Sequence, residues 1–302
     1  MMKVSKYLIF TLLLSIELSA QLAGQLQRIP NFPSEFIEAR RVDIWTPENS
    51  SGPYKVLFMH DGQMLFQRDS TWNGQEWGVD ESLDSLYKNG HIEDIMVVAI
   101  WNIYEHRHRN YFPQKPFESL SQNVQDSLLT LARPGQEKDL YSAAPNSDDY
   151  LQFIFKELLP FLDENYSINK DELYMMGSSM GGLISMYAAM EYSRKLKGVA
   201  CLSTHWPGVF ENENNPIPDA FIEYMSAHQR EAKRTKWYFD RGDATLDALY
   251  PKPQNRVDSL YRSWNFESAQ FKSMVFPGDP HEETAWRKRF PKAVLFLLKA
   301  DE

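Results

Sequence analysis

Short apolar runs rich in β-formers alternate along the chain with turn residues and helix-period patterns. Val56-Leu57-Phe58-Met59 and Met96-Val97-Val98-Ala99-Ile100 are apolar at consecutive positions, as expected of strands buried on both faces. Strands are predicted at Arg41 to Trp45, Tyr54 to His60, Ile95 to Trp101, Leu173 to Met176, Gly198 to Ser203, Lys236 to Asp240 and Phe271 to Phe276. Helices are predicted at Val79 to Lys88, Asp149 to Asn165, Gly181 to Glu191, Asn255 to Trp264 and Glu283 to Lys299. The third carries Leu183, Met186, Tyr187 and Met190 at helical spacing. This alternation predicts one α/β domain over residues 21–302, with a mostly parallel central sheet and helices on both faces. Residues 102–147 hold Pro113, Pro116, Pro134 and Pro145 with no clean period, which reads as an irregular insertion over the functional edge.

Composition narrows the class. Of 302 residues, 43% are hydrophobic and only one is cysteine, so a large packed core is within reach and a disulfide framework is not. A net charge of −9 without Lys/Arg clusters argues against nucleic acid as a partner. Residues 1–20 begin with Lys3 and Lys6, continue through an apolar run from Tyr7 to Ile16 and end at Ala20, the build of a secretory signal. The run is short for a membrane span; an uncleaved anchor is the alternative. A periplasmic or secreted protein with no stable membrane span after cleavage is expected. Cys201, unpartnered within Val199-Ala200-Cys201-Leu202, reads as a buried small hydrophobe.

Leu173 to Gly182 contains Gly177-Ser178-Ser179-Met180-Gly181 between an apolar strand and a helical pattern. In a G-x-S-x-G elbow the serine sits on a sharp, strained turn, and glycines remove side chains that would collide there. Ser179 is the candidate nucleophile. The Met180 N–H and the helix start below it face any charge developing on an attacked carbonyl. A serine needs a base, and the order Ser, acid, His leaves His205, His228 and His281 of the seven histidines. His205 comes before any plausible acid loop and His228 sits in a helical pattern. His281, in the turn-rich loop after the last strand, is preferred.

The acid is sought after the strand ending at Asp240, where Arg241-Gly242-Asp243-Ala244-Thr245-Leu246-Asp247 follows. Its task is to orient the imidazole and stabilise the imidazolium. Asp247 is favoured, with Asp243 as the alternative acid. A second oxyanion donor is expected from the loop His60-Asp61-Gly62-Gln63, with Gly62 and Gln63 as candidates.

Together, His60-Asp61-Gly62-Gln63-Met64-Leu65-Phe66, Trp77-Gly78-Val79-Asp80-Glu81, Gly177-Ser178-Ser179-Met180-Gly181-Gly182 and His281-Glu282-Glu283-Thr284-Ala285-Trp286 resemble the Putative esterase family, which includes enterochelin esterases, esterase D, feruloyl esterases and mycolyltransferases. The resemblance covers roughly residues 35 to 298. It implies an α/β-hydrolase fold, no metal or other cofactor, and ester hydrolysis by a Ser-Asp-His triad. Ser179 matches the nucleophile, His281 the base, and Asp247 the acid, seven residues before Gln254. The family's usual Gly-Thr is Gly242-Asp243 here. Arg109-Asn110-Tyr111-Phe112-Pro113 resembles a substrate-side loop in which an acidic residue is commoner than Asn110.

Trp77, Trp101, Tyr111 and Trp206 lie near predicted strand ends and, with Arg109, are candidate substrate-binding residues; Trp72, Tyr104 and Phe112 extend the same aromatic set. Such rings could wall a sugar or phenolic acyl group. His106-Arg107-His108-Arg109 lacks third and fourth metal ligands and reads as a solvated loop. The expected function is an exported serine esterase acting on a feruloyl or acetyl carbohydrate ester or a siderophore ester. Acyl transfer to a sugar hydroxyl and a non-catalytic binding protein are the alternatives.

Overall fold

The computed structural model describes residues 22–132, 135, 140–210 and 213–300. The expected signal segment, residues 1–20, lies outside the described residues. Eight strands form one sheet: β1 (Gln25–Phe32), β2 (Arg40–Thr46), β3 (Tyr54–His60), β4 (Ile95–Ile100), β5 (Ile168–Ser178), β6 (Leu196–Leu202), β7 (Lys236–Arg241) and β8 (Phe271–Val275). Their order is β1-β2-β4-β3-β5-β6-β7-β8. β1 and β2 are joined antiparallel, as are β2 and β4, and every pairing from β4 to β8 is parallel.

Consecutive apolar residues in the central strands are divided between two cores. Val56 and Phe58 of β3 face one layer, and Leu57 and Met59 face the other. The first layer holds the Met180–Glu191 helix, buried at every residue from Met180 to Met190. The second holds Leu83 of the Val79–Lys88 helix and Trp286, Phe290 and Leu297 of the Glu283–Leu298 helix. Each fully buried Leu, Phe or Met contributes about 1.5–3 kcal/mol, a large share of the 5–15 kcal/mol or so by which domains are stable.

All seven predicted strands form. β1 is an addition: it is an edge strand on which only Phe32 is buried, so it carries no apolar alternation to read. The insertion is more regular than expected, with helices at Arg107–Tyr111, Gln114–Glu118 and Gln122–Leu129. Each is too short to display a helical period. A further helix, Ile217–Ala227, follows Pro216 and carries Pro218 in its first turn, where proline is tolerated.

The connections explain where a site can form. The chain leaves β3 toward β4 on one side and returns to β5 on the other, so the loops after β3 and β5 emerge side by side. Met59 is paired with Met176 in that register. A reversal of this kind opens a crevice at the carboxyl ends of parallel strands.

Candidate active site

Ser179 stands at the end of β5 with φ 56° and ψ −121°, outside the regions open to most residues. Four backbone hydrogen bonds hold that strained geometry: its N–H to Leu202 O at 2.9 Å, and its carbonyl from Gly182, Leu183 and His205 N–H at 3.0, 3.2 and 3.2 Å. Gly177 is required here, because a Cβ on it would lie 2.7 Å from the Gly181 carbonyl group. Met180 opens the following helix, so its N–H belongs to the first turn, which has no acceptor within the helix.

His281 must come from β8, three strands away, a distance of about 14 Å at ordinary strand spacing. The loop after β8 turns back across β7 to cover it. Asp279 O accepts the N–H groups of Asp243 and Ala244 at 3.3 and 3.2 Å, and His281 N–H reaches Thr245 Oγ1 at 2.8 Å. Gly242 makes this approach possible: a Cβ there would fall 2.0 Å from Asp279 O.

The loop lays the His281 ring against Asp247, with Nδ1 2.6 Å from Oδ1. Oδ2 of Asp247 accepts the Ser203 hydroxyl at 2.6 Å and the Gly242 N–H at 2.6 Å. Burial works to raise the Asp247 pKa, but the hydrogen bond and charge of His281, with Ser203 and Gly242, hold it below the ordinary carboxylate range. Asp243 is exposed and accepts Gly278 N–H at 2.7 Å. It ties the loop and makes no contact with the imidazole.

Beneath Asp247 lies a charged layer that sequence reasoning missed. Ser203 Oγ accepts Trp286 Nε1–H at 3.0 Å and Arg289 Nη2–H at 3.0 Å. Arg289 is completely buried, with Nη1 3.2 Å from Asp240 Oδ1 and 4.0 Å from Asp247 Oδ2, and Nε 3.7 Å from Asp279 Oδ2. Burial pushes Asp240 up to about 6 although Arg289 opposes it. The only sequence signal was one arginine inside an apolar helix stripe.

Tyr250 was also missed. It follows Asp247 by three residues, and its N–H bonds to Asp247 O at 3.1 Å. In a 3₁₀ turn, i and i+3 share a face. Its ring meets the His281 ring edge-on at 5.7 Å, and its hydroxyl bonds to a second histidine. His205 joins it with Nδ1 2.8 Å from the same hydroxyl, while His228 Nδ1 is 2.7 Å from Tyr224 O on its own helix.

Gly62 and Gln63 open the short turn Gly62–Met64 after β3. Gly62 is buried against Trp101 and Ala99, whereas Gln63 is partly open. Gln63 Oε1 accepts Asn102 N–H at 3.3 Å. Asp61, with φ 57°, precedes them and receives Arg107 in a two-pronged pair, Nε to Oδ1 at 2.8 Å and Nη2 to Oδ2 at 2.7 Å. Asn102 Nδ2 adds a bond of 2.6 Å. Burial would raise the Asp61 pKa, but Arg107, followed by Asn102, brings it below its ordinary value. The His106–Arg109 run is therefore no solvated loop: Arg107 braces Asp61, and the buried His108 lies with Nε2 3.0 Å from Gly208 O.

The proposed aromatic wall is corrected in part. Trp77, Tyr111 and Trp206 are 3%, 0% and 1% exposed and committed to packing. Trp77 lies against Trp286 and Phe290, the Tyr111 hydroxyl accepts Asp61 N–H at 3.3 Å, and Trp206 Nε1 donates to Gln254 at 2.7 Å. Arg41 covers the Trp101 ring at 3.9 Å. Arg109 Nη1 lies 3.7 Å from Glu38. The rings left exposed are Trp72 and Tyr104, in the loops after β3 and β4. Among the described residues, no group of three or more His, Cys, Asp or Glu side chains is placed to hold a metal, and no helix is long and apolar enough to cross a membrane.

The parallel sheet, the serine elbow after β5 and the histidine loop after β8 define an α/β-hydrolase. The chain belongs to the family described as Putative esterase, whose model matches residues 34–297. It is 25% identical over 270 residues to "Uncharacterized protein YbbA" of Bacillus subtilis (strain 168), covering 85% of this chain and 92% of that one. Among solved structures, a ferulic acid esterase matches with TM-score 0.62 and 14% identity, over 92% of this chain and 99% of its own. The BES protein from Bacillus cereus matches with TM-score 0.63 and 14% identity, over 98% and 100%. The enterobactin esterase FES from Shigella flexneri, solved in the presence of enterobactin, matches with TM-score 0.62 and 16% identity, over 93% of this chain and 61% of that one. At these identities the structural likenesses establish the fold.

Proposed function

We propose that the protein is an exported serine esterase that works through an acyl-enzyme. Membership of an esterase family supports hydrolysis of esters, and the observation that carries the serine mechanism is His281 Nδ1 at 2.6 Å from Asp247, together with a strained Ser179 at the strand-to-helix elbow. Ser179 attacks the ester carbonyl while His281 takes its proton and returns it to the leaving alcohol. Asp247 fixes the tautomer that presents Nε2 to the serine and stabilises the imidazolium. The Met180 N–H and the Gln63 or Gly62 N–H hold the oxyanion, each donor being worth roughly 3 kcal/mol in comparable enzymes. Water, activated by the same imidazole, then releases the acyl group.

The substrate class follows the neighbours named ferulic acid esterase and enterobactin esterase: a feruloyl or acetyl carbohydrate ester, or a siderophore ester. Exposed Trp72 and Tyr104 offer aromatic surface suited to a sugar or an aromatic acyl group. The signal-like residues 1–20 support export. Purified protein is assayed against methyl ferulate, acetylated xylan and a ferric catecholate ester, with a short-chain nitrophenyl ester as the common reference. Wild type hydrolyses the reference and at least one class, and Ser179→Ala hydrolyses none. Equal rates for the two proteins remove the serine-esterase assignment.

A further inference from the structure

The candidate active site occupies the carboxyl ends of the parallel strands, and the opposite end of the sheet carries a cavity of its own. It has a volume of about 350 Å³ and is lined by Met190 to Lys195 and by Arg230, Glu231 and Arg234. The first stretch leads from the end of the Met180–Glu191 helix into the start of β6, and the second from the short Gln229–Ala232 helix into the start of β7. β6 and β7 are parallel neighbours, with Gly198 opposite Lys236, so two stretches far apart in sequence meet there. The length of β6, Leu196–Leu202, sets this cavity about 20 Å from the rim that carries Ser179.

The lining is cationic in a chain whose net charge is −9. Arg194, Lys195, Arg230 and Arg234 are all exposed, and among the described residues none of them pairs with a carboxylate. Glu191 is already engaged by Lys115 and by the Tyr224 hydroxyl, which leaves Glu231 alone against four cations. Lys197, Lys233 and Lys236, also exposed, continue the positive charge along the same two stretches. The carboxyl end of a helix draws a cation or two, which accounts for Arg194 or Lys195. It does not account for Arg230 and Arg234 on a second element, four residues apart and repelling each other. A concave site holding unneutralised positive charge is complementary to an anion.

We propose that this cavity binds an acidic sugar unit of a glycan, its carboxylate or sulfate group held by Arg194, Lys195, Arg230 and Arg234. The guanidinium fork matches either oxyanion in two-pronged fashion. The volume lies at the lower end of the range for small-ligand sites, about 300–1,000 Å³, which suits a sugar ring more than an extended chain of phosphates. Ser193 and Glu231 in the lining supply partners for ring hydroxyls. Tyr192, the one ring in the lining, is stacked on Phe155 at 4.0 Å, so no aromatic platform is offered to the bases of a nucleic acid. The exposed large hydrophobic residues are Trp72, Tyr104 and Val275, all outside this lining, so nothing here enters a bilayer. A glycan bound at this end tethers the protein to a polymer and leaves the Ser179 face open. The inference stands apart from the esterase reading.

Isothermal titration calorimetry of the whole protein with trigalacturonate, a sulfated galactose trimer and neutral galactotriose tests it. At least one acidic trimer binds, with an affinity that falls as salt is added, and the neutral trimer does not. Arg230→Glu combined with Arg234→Glu weakens binding by about tenfold or more, and Arg230→Gln combined with Arg234→Gln weakens it less. Both double variants keep the wild-type Tm and the wild-type rate on a nitrophenyl ester, because the altered side chains are exposed and remote from Ser179. Failure of both acidic trimers to bind, unchanged affinity in the glutamate pair, or tighter binding to phosphatidylglycerol vesicles or single-stranded DNA than to either trimer overturns the assignment. Ester hydrolysis is read separately, so its absence from wild type removes the esterase reading and leaves the glycan site standing.

Discussion

His281 and Asp247 meet at 2.6 Å between Nδ1 and Oδ1, while the other carboxylate oxygen takes the Gly242 N–H and the Ser203 hydroxyl. The carboxylate cannot rotate without losing two donors, so it fixes the histidine's tautomer as well as its position. In Asp247→Asn the amide oxygen stays with Gly242 and Ser203, and its NH₂ faces Nδ1. The imidazole is then driven to carry its proton on Nε2, where it cannot accept one from serine. We expect kcat to fall about 10³- to 10⁴-fold with little change in KM. Asp243→Asn, measured alongside by steady-state kinetics, stays far closer to wild type.

Ser203 is a junction, accepting from Trp286 and Arg289 and donating to Asp247. Ser203→Ala leaves two buried donors without their acceptor, at a cost of about 1–3 kcal/mol in stability, and removes one of the groups that lower the Asp247 pKa. Urea denaturation reads the first effect. The second is a fall in kcat smaller than that of Asp247→Asn.

The Arg107 and Asp61 pair holds the loop of Gly62 and Gln63 against the insertion. Removing one member of a pair this enclosed leaves an uncompensated charge and destabilises by about 3 kcal/mol or more. Arg107→Gln and Asp61→Asn are each expected to lower the denaturation midpoint, and the double variant to lose less than the sum. Additive losses in that cycle would show that the pair is not energetically coupled.

Asp80 gives a pH signature of its own. One carboxylate oxygen accepts Ala23 N–H at 3.1 Å, and the other is buried without a hydrogen-bond partner. Burial, then the neighbouring Glu81, pushes its pKa up to about 7. The folded state therefore binds a proton more tightly than the unfolded chain, in which Asp titrates near about 4. Stability from this group is full below that value and is lost as pH rises toward 7. Asp80→Asn removes the dependence, so its Tm relative to wild type rises between pH 5 and pH 8 in thermal scans. A constant difference across that range contradicts the assignment.

The sequence made much of this architecture legible, for physical reasons. β3 and β4 announced themselves because burial on both faces demands unbroken apolar runs, and the Ser179 elbow because a left-handed turn between strand and helix needs glycine at 177. Asp247 and His281 could be ordered along the chain, but their contact depends on the loop after β8 folding back over the end of β7, which no local pattern encodes. Trp77, Tyr111 and Trp206 looked like a binding wall because aromatic residues near strand ends serve cores and sites alike. Arg107, Ser203, Tyr250 and Arg289 were hidden for the opposite reason: each acts through a partner more than 40 residues away in sequence, and singly each resembles an ordinary surface or core residue.

The central claim is that an acyl group passes through Ser179. Rapid quenching during turnover of a slowly hydrolysed ester, followed by intact-mass measurement and peptide mapping, tests it directly. The account predicts an added mass equal to the acyl group on the peptide containing Ser179, its disappearance as substrate is exhausted, and its absence from Ser179→Ala. Turnover that continues in Ser179→Ala, or an acyl group found on a different residue, would contradict it.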